Sequence, residues 1–290
     1  MKTLGLGLLL VAVCWFAAYA AHASDINVPQ RVDAGAGFTV SAPGSGKAVM
    51  VLIGPLGAVK RDVQLGGDLR ILPEEIQTSG HYTLVLRSGG ASSQASFWVE
   101  PAKTARLSFL ARPSRLPVAM PNAISGVVYP TDKFYNLVLR PEPVTFKLSV
   151  ADAAPVTSTV TAKNGVAWVS FDSTRKTGAA QFVATIGDVS ERRVVQEVAS
   201  DPCNLRIRAQ RSKDGVEVET DPIRDCSGNP VPDGTIVTFT AVSPRGKSSV
   251  DARIKKGVAK AEFPQLGNAT ISVASGVVMG NEVHVGGGGE

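Results

Sequence analysis

Residues 225–239 read DCSGNPVPDGTIVTF, and residues 132–146 read DKFYNLVLRPEPVTF. The two stretches align without a gap at an offset of 93 positions (225 less 132). Asp132 matches Asp225, Asn136 matches Asn229, Val138 matches Val231, and Val144-Thr-Phe146 matches Val237-Thr-Phe239. Further matches follow in the same order. Gly165-Val-Ala167 lies over Gly257-Val-Ala259, and Phe171 lies over Phe263. GAAQFVATIG from Gly178 to Gly187 lies over GNATISVASG from Gly267 to Gly276, and Val194 falls over Val283. The offset drifts to 92 and then 89, as short loop deletions produce. Four blocks in one order mark two homologous domains.

Each matched position has a physical job. An aspartate opening a tight loop accepts hydrogen bonds from the amides ahead of it, and an asparagine four residues on tolerates a left-handed turn. Val-x-Phe points two side chains to one face of a strand, which places Phe146 and Phe239 in cores. Gly-Val-Ala starts a strand directly after a turn. The residues between are free to vary because they face water.

Outside residues 1–23 almost nothing reads as helix, apart from a single turn at Leu72-Pro-Glu-Glu-Ile76. Short segments rich in Val, Thr, Phe and Ile are punctuated every eight to twelve residues by Gly, Pro, Asn and Asp. That spacing predicts an all-β chain of antiparallel sandwiches. The stretch from 24 to 102 lacks the repeated pattern but also reads as a sandwich. Its candidate strands are Gly37–Ser41 and Ala48–Ile53, the second apolar enough for burial on both faces. Tyr82 follows a glycine turn at the start of a late strand, the setting of a tyrosine corner, in which the hydroxyl ties back to upstream backbone. Expected linkers are Glu100–Thr104 and Ala199–Pro202, both short and bearing proline. The expected layout is a first domain over 24–102, a second over 105–198 and a third over 203–286.

Residues 1–23 read as a secretory signal. Lys2 precedes an apolar run that closes on Ala21-His22-Ala23, with Ser24 as the expected first mature residue and cleavage after Ala20 as the alternative. Cys14 lies inside the apolar run, after Val13, which argues against a lipoprotein. The mature chain shows no stretch of about 18 consecutive apolar residues, so no transmembrane segment is expected there. The net charge of +5 falls by one with Lys2, and no block of five like charges occurs, so the surface reads as ordinary and no nucleic-acid partner is expected. Cys203 and Cys226 are the cysteines left after processing. An even pair in an exported chain reads as one disulfide, worth about 3 kcal/mol in the chain-entropy estimate; two free thiols are the alternative.

The stretch Asp225–Phe239, followed by Lys256-Gly-Val-Ala259, resembles the bacterial immunoglobulin-like domains of invasin and intimin type proteins. The run D-x-x-G-N-x-V and the later K-G-x-A turn carry the resemblance. The second domain matches more loosely. Tyr135 stands where the third has Gly228, and Arg140-Pro141 replaces Asp233-Gly234, while Asn164-Gly165-Val-Ala167 is kept. The likeness covers residues 105 to 285 and implies extracellular rods that space or present other parts. Such proteins also carry an outer-membrane barrel and a terminal recognition domain, and neither has a counterpart here.

No catalytic set is apparent. His81 and His284 fall in different expected domains, which leaves no Ser-His-Asp arrangement and no G-x-S-x-G elbow. Two scattered histidines supply no zinc site. Asp221, Asp225, Asn229 and Asp233 read as turn formers rather than calcium ligands, which must number six to eight oxygens. Gly44-Ser-Gly-Lys47 reads as a hairpin loop, not a phosphate loop. Trp98 and Trp168 sit in strand-like segments and are expected in cores. The expectation is a non-enzymatic protein without cofactor or metal, a structural or adhesive spacer or binding protein at the bacterial cell envelope, extracellular or on the cell surface, with a protein or polysaccharide partner. A periplasmic accessory subunit and a carbohydrate-binding module are the alternatives.

Overall fold

Burial alternates residue by residue along nearly every strand, the signature of sheets with one face on a core and one on water. The computed structural model describes residues 26–286 except residue 152. The expected signal sequence, Cys14 and Ser24 lie outside the described residues. The chain divides into two compact units, one up to Ala102 and one from Lys103.

The first unit holds β1 (Arg31–Asp33), β2 (Phe38–Gly54), β3 (Gly57–Ile71), β4 (Gly80–Ser88) and β5 (Ala91–Glu100), hydrogen-bonded in the order β1-β5-β4-β2-β3. The expected strands Gly37–Ser41 and Ala48–Ile53 are one strand, β2, running through Gly44-Ser-Gly-Lys47. That segment is not a hairpin loop. The pairing of β2 with β3 shifts register between Ala42 and Gly46, so it forms a bulge. Positive φ at Gly44 (106°) and Gly46 (90°) makes the bend, which only glycine adopts without strain. The bend lets one long hairpin supply both layers: Phe38, before the bulge, meets Phe97 of β5 edge-on at 5.1 Å. Burial on both faces of Ala48–Ile53 is also corrected. Met50 and Leu52 are buried, whereas Ile53 is 46% exposed, because the second layer covers one side of the sheet. The expected single turn is a 3-10 helix at Pro73–Ile76.

The second unit holds two hydrophobic cores. The second domain is built from β6 (Arg106–Arg112), β7 (Arg115–Pro117), β8 (Ile124–Thr131), β9 (Pro143–Ser149), β10 (Val156–Thr161), β11 (Ala167–Phe171), β12 (Gly178–Ile186) and β13 (Val189–Val198). Sheet β10-β9-β12-β13-β7 faces sheet β11-β8-β6. Phe109, Phe146, Phe171 and Phe182 meet between them, with Phe109 and Phe182 at 5.0 Å. The third domain follows with β14 (Pro202–Cys203), β15 (Ile207–Arg211), β16 (Gly215–Thr220), β17 (Arg224–Asp225), β18 (Ile236–Ser243), β19 (Gly246–Arg253), β20 (Lys260–Pro264), β21 (Ala269–Ser275) and β22 (Val278–Val285). Sheet β19-β18-β21-β22 encloses Phe239 and Val273 against sheet β15-β16-β20, and β14 pairs with β17. The chain is thus all-β, with three tandem immunoglobulin-like sandwiches.

The repeat read from sequence is a repeat of register. Phe146 lies opposite Ala184, and Phe239 lies opposite Val273. Both phenylalanines are fully buried. Thr131 bridges Leu137 in the second domain as Arg224 bridges Pro230 in the third. One matched pair has no shared core role: Val194 is 55% exposed, because it points outward from β13.

Candidate functional site

Two regions of the second unit concentrate the unusual geometry: the paired Asp-Asn turns and the outer face of β11-β8-β6. In the first turn, Asp132 Oδ1 accepts the backbone N–H groups of Phe134 and Asn136, both at 2.9 Å, and Oδ2 accepts Asn136 Nδ2 at 2.8 Å. In the second, Asp225 Oδ1 accepts from Ser227 N at 2.8 Å and Asn229 N at 2.9 Å, while Asn229 Nδ2 lies 3.0 Å from Oδ2. Asp132 and Asp225 are buried, so each carboxylate exchanges water for a ring of amides. Burial opposes the charge of Asp225, but the bonds from Asn229, Ser200 and Ser227 outweigh it and hold the carboxyl below its ordinary value.

The left-handed residue of each turn is not the asparagine, as expected, but the residue before it. Tyr135 has φ 69° and Gly228 has φ 85°. The asparagine is needed for its amide, which bonds back to the aspartate. Tyr135 is 73% exposed and lies under the Arg106 guanidinium, 4.4 Å from its ring centroid.

Cys203 and Cys226 form the disulfide, closing a sequence separation of 23 and fastening the third-domain turn to β14. Tyr82 is buried and donates its hydroxyl to Thr78 O at 3.0 Å, the tie-back of a tyrosine corner. Its burial pushes the phenol up, partly offset by that bond. Both Asn164-Gly165 and Lys256-Gly257 have two successive positive φ values, forming tight two-residue hairpins. In the third domain Asp233 accepts Lys256 N at 2.8 Å and Gly257 N at 3.1 Å.

The four residues weighed against calcium do not converge. Asp221 pairs with Arg208, Asp233 binds the Lys256-Gly257 hairpin, and Asp225 with Asn229 forms the turn. Among the described residues no group of three or more His, Cys, Asp or Glu is arranged to hold a metal. His81 stands beside Trp98 in the first unit, with ring centroids 5.3 Å apart, and His284 Nδ1 bonds Thr270 Oγ1 in the second.

The tryptophans reverse their expected placement. Trp98 is 54% exposed and Trp168 is 67% exposed. Both lie on the outward phase of their strands, because their neighbours Phe97, Val99, Ala167 and Val169 take the core. Alternation around Trp168 was visible in AWVSF, but apolar residues in both phases hid which one faced inward. Trp168 lies opposite Val127, and Val127 lies opposite Leu110. Leu110 is 53% exposed and Val127 is half-buried, so an apolar row crosses all three strands. Tyr129, 39% exposed, continues the same face one step along β8.

Comparison with known proteins fits this architecture. No family profile and no curated protein matches the sequence. Among solved structures, the Escherichia coli adhesin FdeC superposes with a TM-score of 0.58 at 14% identity, over 91% of this chain and 96% of that one. InvD of Yersinia pseudotuberculosis gives a TM-score of 0.49 at 13% identity, over 90% of this chain and 95% of its own. Invasin, described as a bacterial integrin-binding protein, gives 0.47 at 12% identity, over 84% of this chain and 54% of its own. The superposition on FdeC shows a shared tandem immunoglobulin-like fold, the fold that the Asp225–Phe239 motif implies.

Proposed function

We infer that the protein is an exported, non-enzymatic adhesive spacer at the bacterial cell surface, with its domains divided at 24–102, 105–198 and 203–286. One observation carries the adhesive part: the Trp168–Val127–Leu110 row on the solvent face of the second domain. The internal repeat supplies its control. At the matching places the third domain sets Lys260 opposite Glu219 and Glu219 opposite Arg208. Lys260 Nζ lies 3.1 Å from Glu219, and Arg208 pairs with Asp221. The fold therefore accepts a fully charged row at this place. Exposed apolar side chains there are not needed for the sandwich and suit a partner surface.

The likeness to an adhesin supports this reading at the level of fold. Exposure of both indoles favours, as a second reading, contact with polysaccharide through stacking on the ring faces. Protease shaving of intact cells tests the location: peptides from the second and third domains are expected, and release only on osmotic shock would move the protein to the periplasm. Trp168→Lys tests the face. Stability should change by less than about 0.5 kcal/mol, as for a surface site, while binding of cells or purified chain to host protein or glycan falls at least tenfold. Unchanged binding by the folded variant would remove the face from the function.

A further inference from the structure

We propose that Asn229 and the loop 172–177 form a polar clasp that locks the third domain onto the second, with Glu197 as the positioning residue beneath the loop. The clasp begins with what holds the loop. Asp172 Oδ1 accepts Asn122 N at 2.7 Å. Ser173 Oγ accepts Met120 N at 2.8 Å and donates to Pro117 O at 2.9 Å. Thr174 donates its N–H to Glu197 Oε2 at 2.8 Å, and its hydroxyl lies against the same oxygen. Glu197 is fully buried, and its Oε1 has no hydrogen-bond partner among the described residues. Burying a carboxyl group in so dry a place is costly, and the bonds from Thr174 offset part of that cost. What it fixes is Thr174, the centre of the loop.

The loop so held presents one acceptor and one donor to the third domain. Asn229 Nδ2 donates to Arg175 O at 2.8 Å, and Asn229 Oδ1 accepts Thr177 N at 3.3 Å. A carboxamide matches a backbone C=O and an N–H two residues apart as another peptide group would. Its orientation is already set, because Nδ2 also points a hydrogen at Asp225. A third contact comes from the connector, where Ser200 N donates to Asp225 Oδ2 at 3.2 Å. Three residues separate β13 from β14, so little slack remains. Asp225 thus receives N–H groups from Ser200, Ser227 and Asn229, so hydrogen bonds from the connector and from the turn meet on one carboxylate.

The inference assigns the asparagine of the D-x-x-G-N run a coupling role that a turn residue alone would not have. Its test measures the relative motion of the two domains in the full chain. Spin labels at Lys147 and Lys247, introduced as noncanonical residues so that the disulfide is untouched, report an interdomain distance distribution by double electron–electron resonance. The unchanged chain should give one narrow distance. Asn229→Ala should at least double its width while amide protection in both cores stays native. A width unchanged in the folded variant overturns the clasp. If Asn229→Ala unfolds the third domain, Thr174→Val decides instead, since it leaves that domain's own contacts intact. It should broaden the distribution, and an unchanged width would again overturn the proposal.

Discussion

The second and third domains share an interior and differ on their surfaces. Phe146 and Phe239 occupy equivalent buried sites opposite equivalent partners on the neighbouring strand. The outer row that reads Trp168–Val127–Leu110 in one reads Lys260–Glu219–Arg208 in the other. Two copies of one sandwich have therefore kept what packing and turn geometry require and diverged where water was the only neighbour. The difference marks out the proposed binding surface better than either domain would alone. The same contrast holds in the turns, where Tyr135 carries the strain that Gly228 avoids.

The largest effect should come from removing either turn aspartate. Asp132→Ala removes the acceptor of the Phe134 and Asn136 backbone N–H groups and of Asn136 Nδ2, at a cost of about 4 kcal/mol. Asp225→Ala should cost a similar amount, but the third domain keeps the Cys203–Cys226 link, worth about 3 kcal/mol. In urea the Asp225→Ala third domain should therefore outlast the Asp132→Ala second domain, and reducing the disulfide should close the gap. Equal urea midpoints for the two variant domains under oxidising conditions would mean that the link contributes little.

Exchanging the left-handed residues should give a smaller, asymmetric result. Gly228→Tyr forces a side chain into φ 85° and should cost about 1–2 kcal/mol. Tyr135→Gly relieves the same strain but gives up the Arg106 contact, worth about 0.5–1 kcal/mol, and should come out within about 1 kcal/mol of neutral. Thermal melts of the two variants check this. A loss from Tyr135→Gly as large as that from Gly228→Tyr would show that the tyrosine is not strained.

Most of the interior was legible in the sequence. Val-x-Phe, the repeated glycine turns and the cysteine pair are local signals whose physical causes are also local. What escaped depended on distant atoms. AWVSF has apolar residues in both strand phases, so Trp168 was placed inward; only Phe182 and its neighbours across the sandwich settle the phase. Gly44-Ser-Gly-Lys47 carries loop residues, yet β3 runs alongside and makes it a bulge. Asn136 looked like the left-handed residue because asparagine tolerates that region, but the buried carboxylate four residues earlier claims its amide. Glu197 was invisible, since nothing in VVQEV distinguishes a buried glutamate from a solvated one.

The smallest effect in the comparison is a pH dependence of opposite sign in the two domains. Burial raises the Glu197 carboxyl above its ordinary value, and the bonds from Thr174 only partly offset this. The folded second domain therefore holds a proton that the unfolded chain releases. Its contribution is fully present below the ordinary glutamate value near 4.5 and is lost as pH rises through the raised one. Asp225 runs the other way. Although burial opposes its charge, its hydrogen bonds lower its value in the folded state, so its contribution is present above the ordinary aspartate value and is lost as pH falls through the lowered one. Amide hydrogen exchange can follow β9 and β12 separately from β18 and β21. As pH rises from the ordinary glutamate value near 4.5 through the raised one, protection in the second domain should fall relative to the third. Glu197→Gln should flatten the second domain's slope and leave the third's unchanged. Parallel slopes in the unchanged protein would mean that Glu197 is ionised in the fold, and that the loop it holds rests on a buried charge.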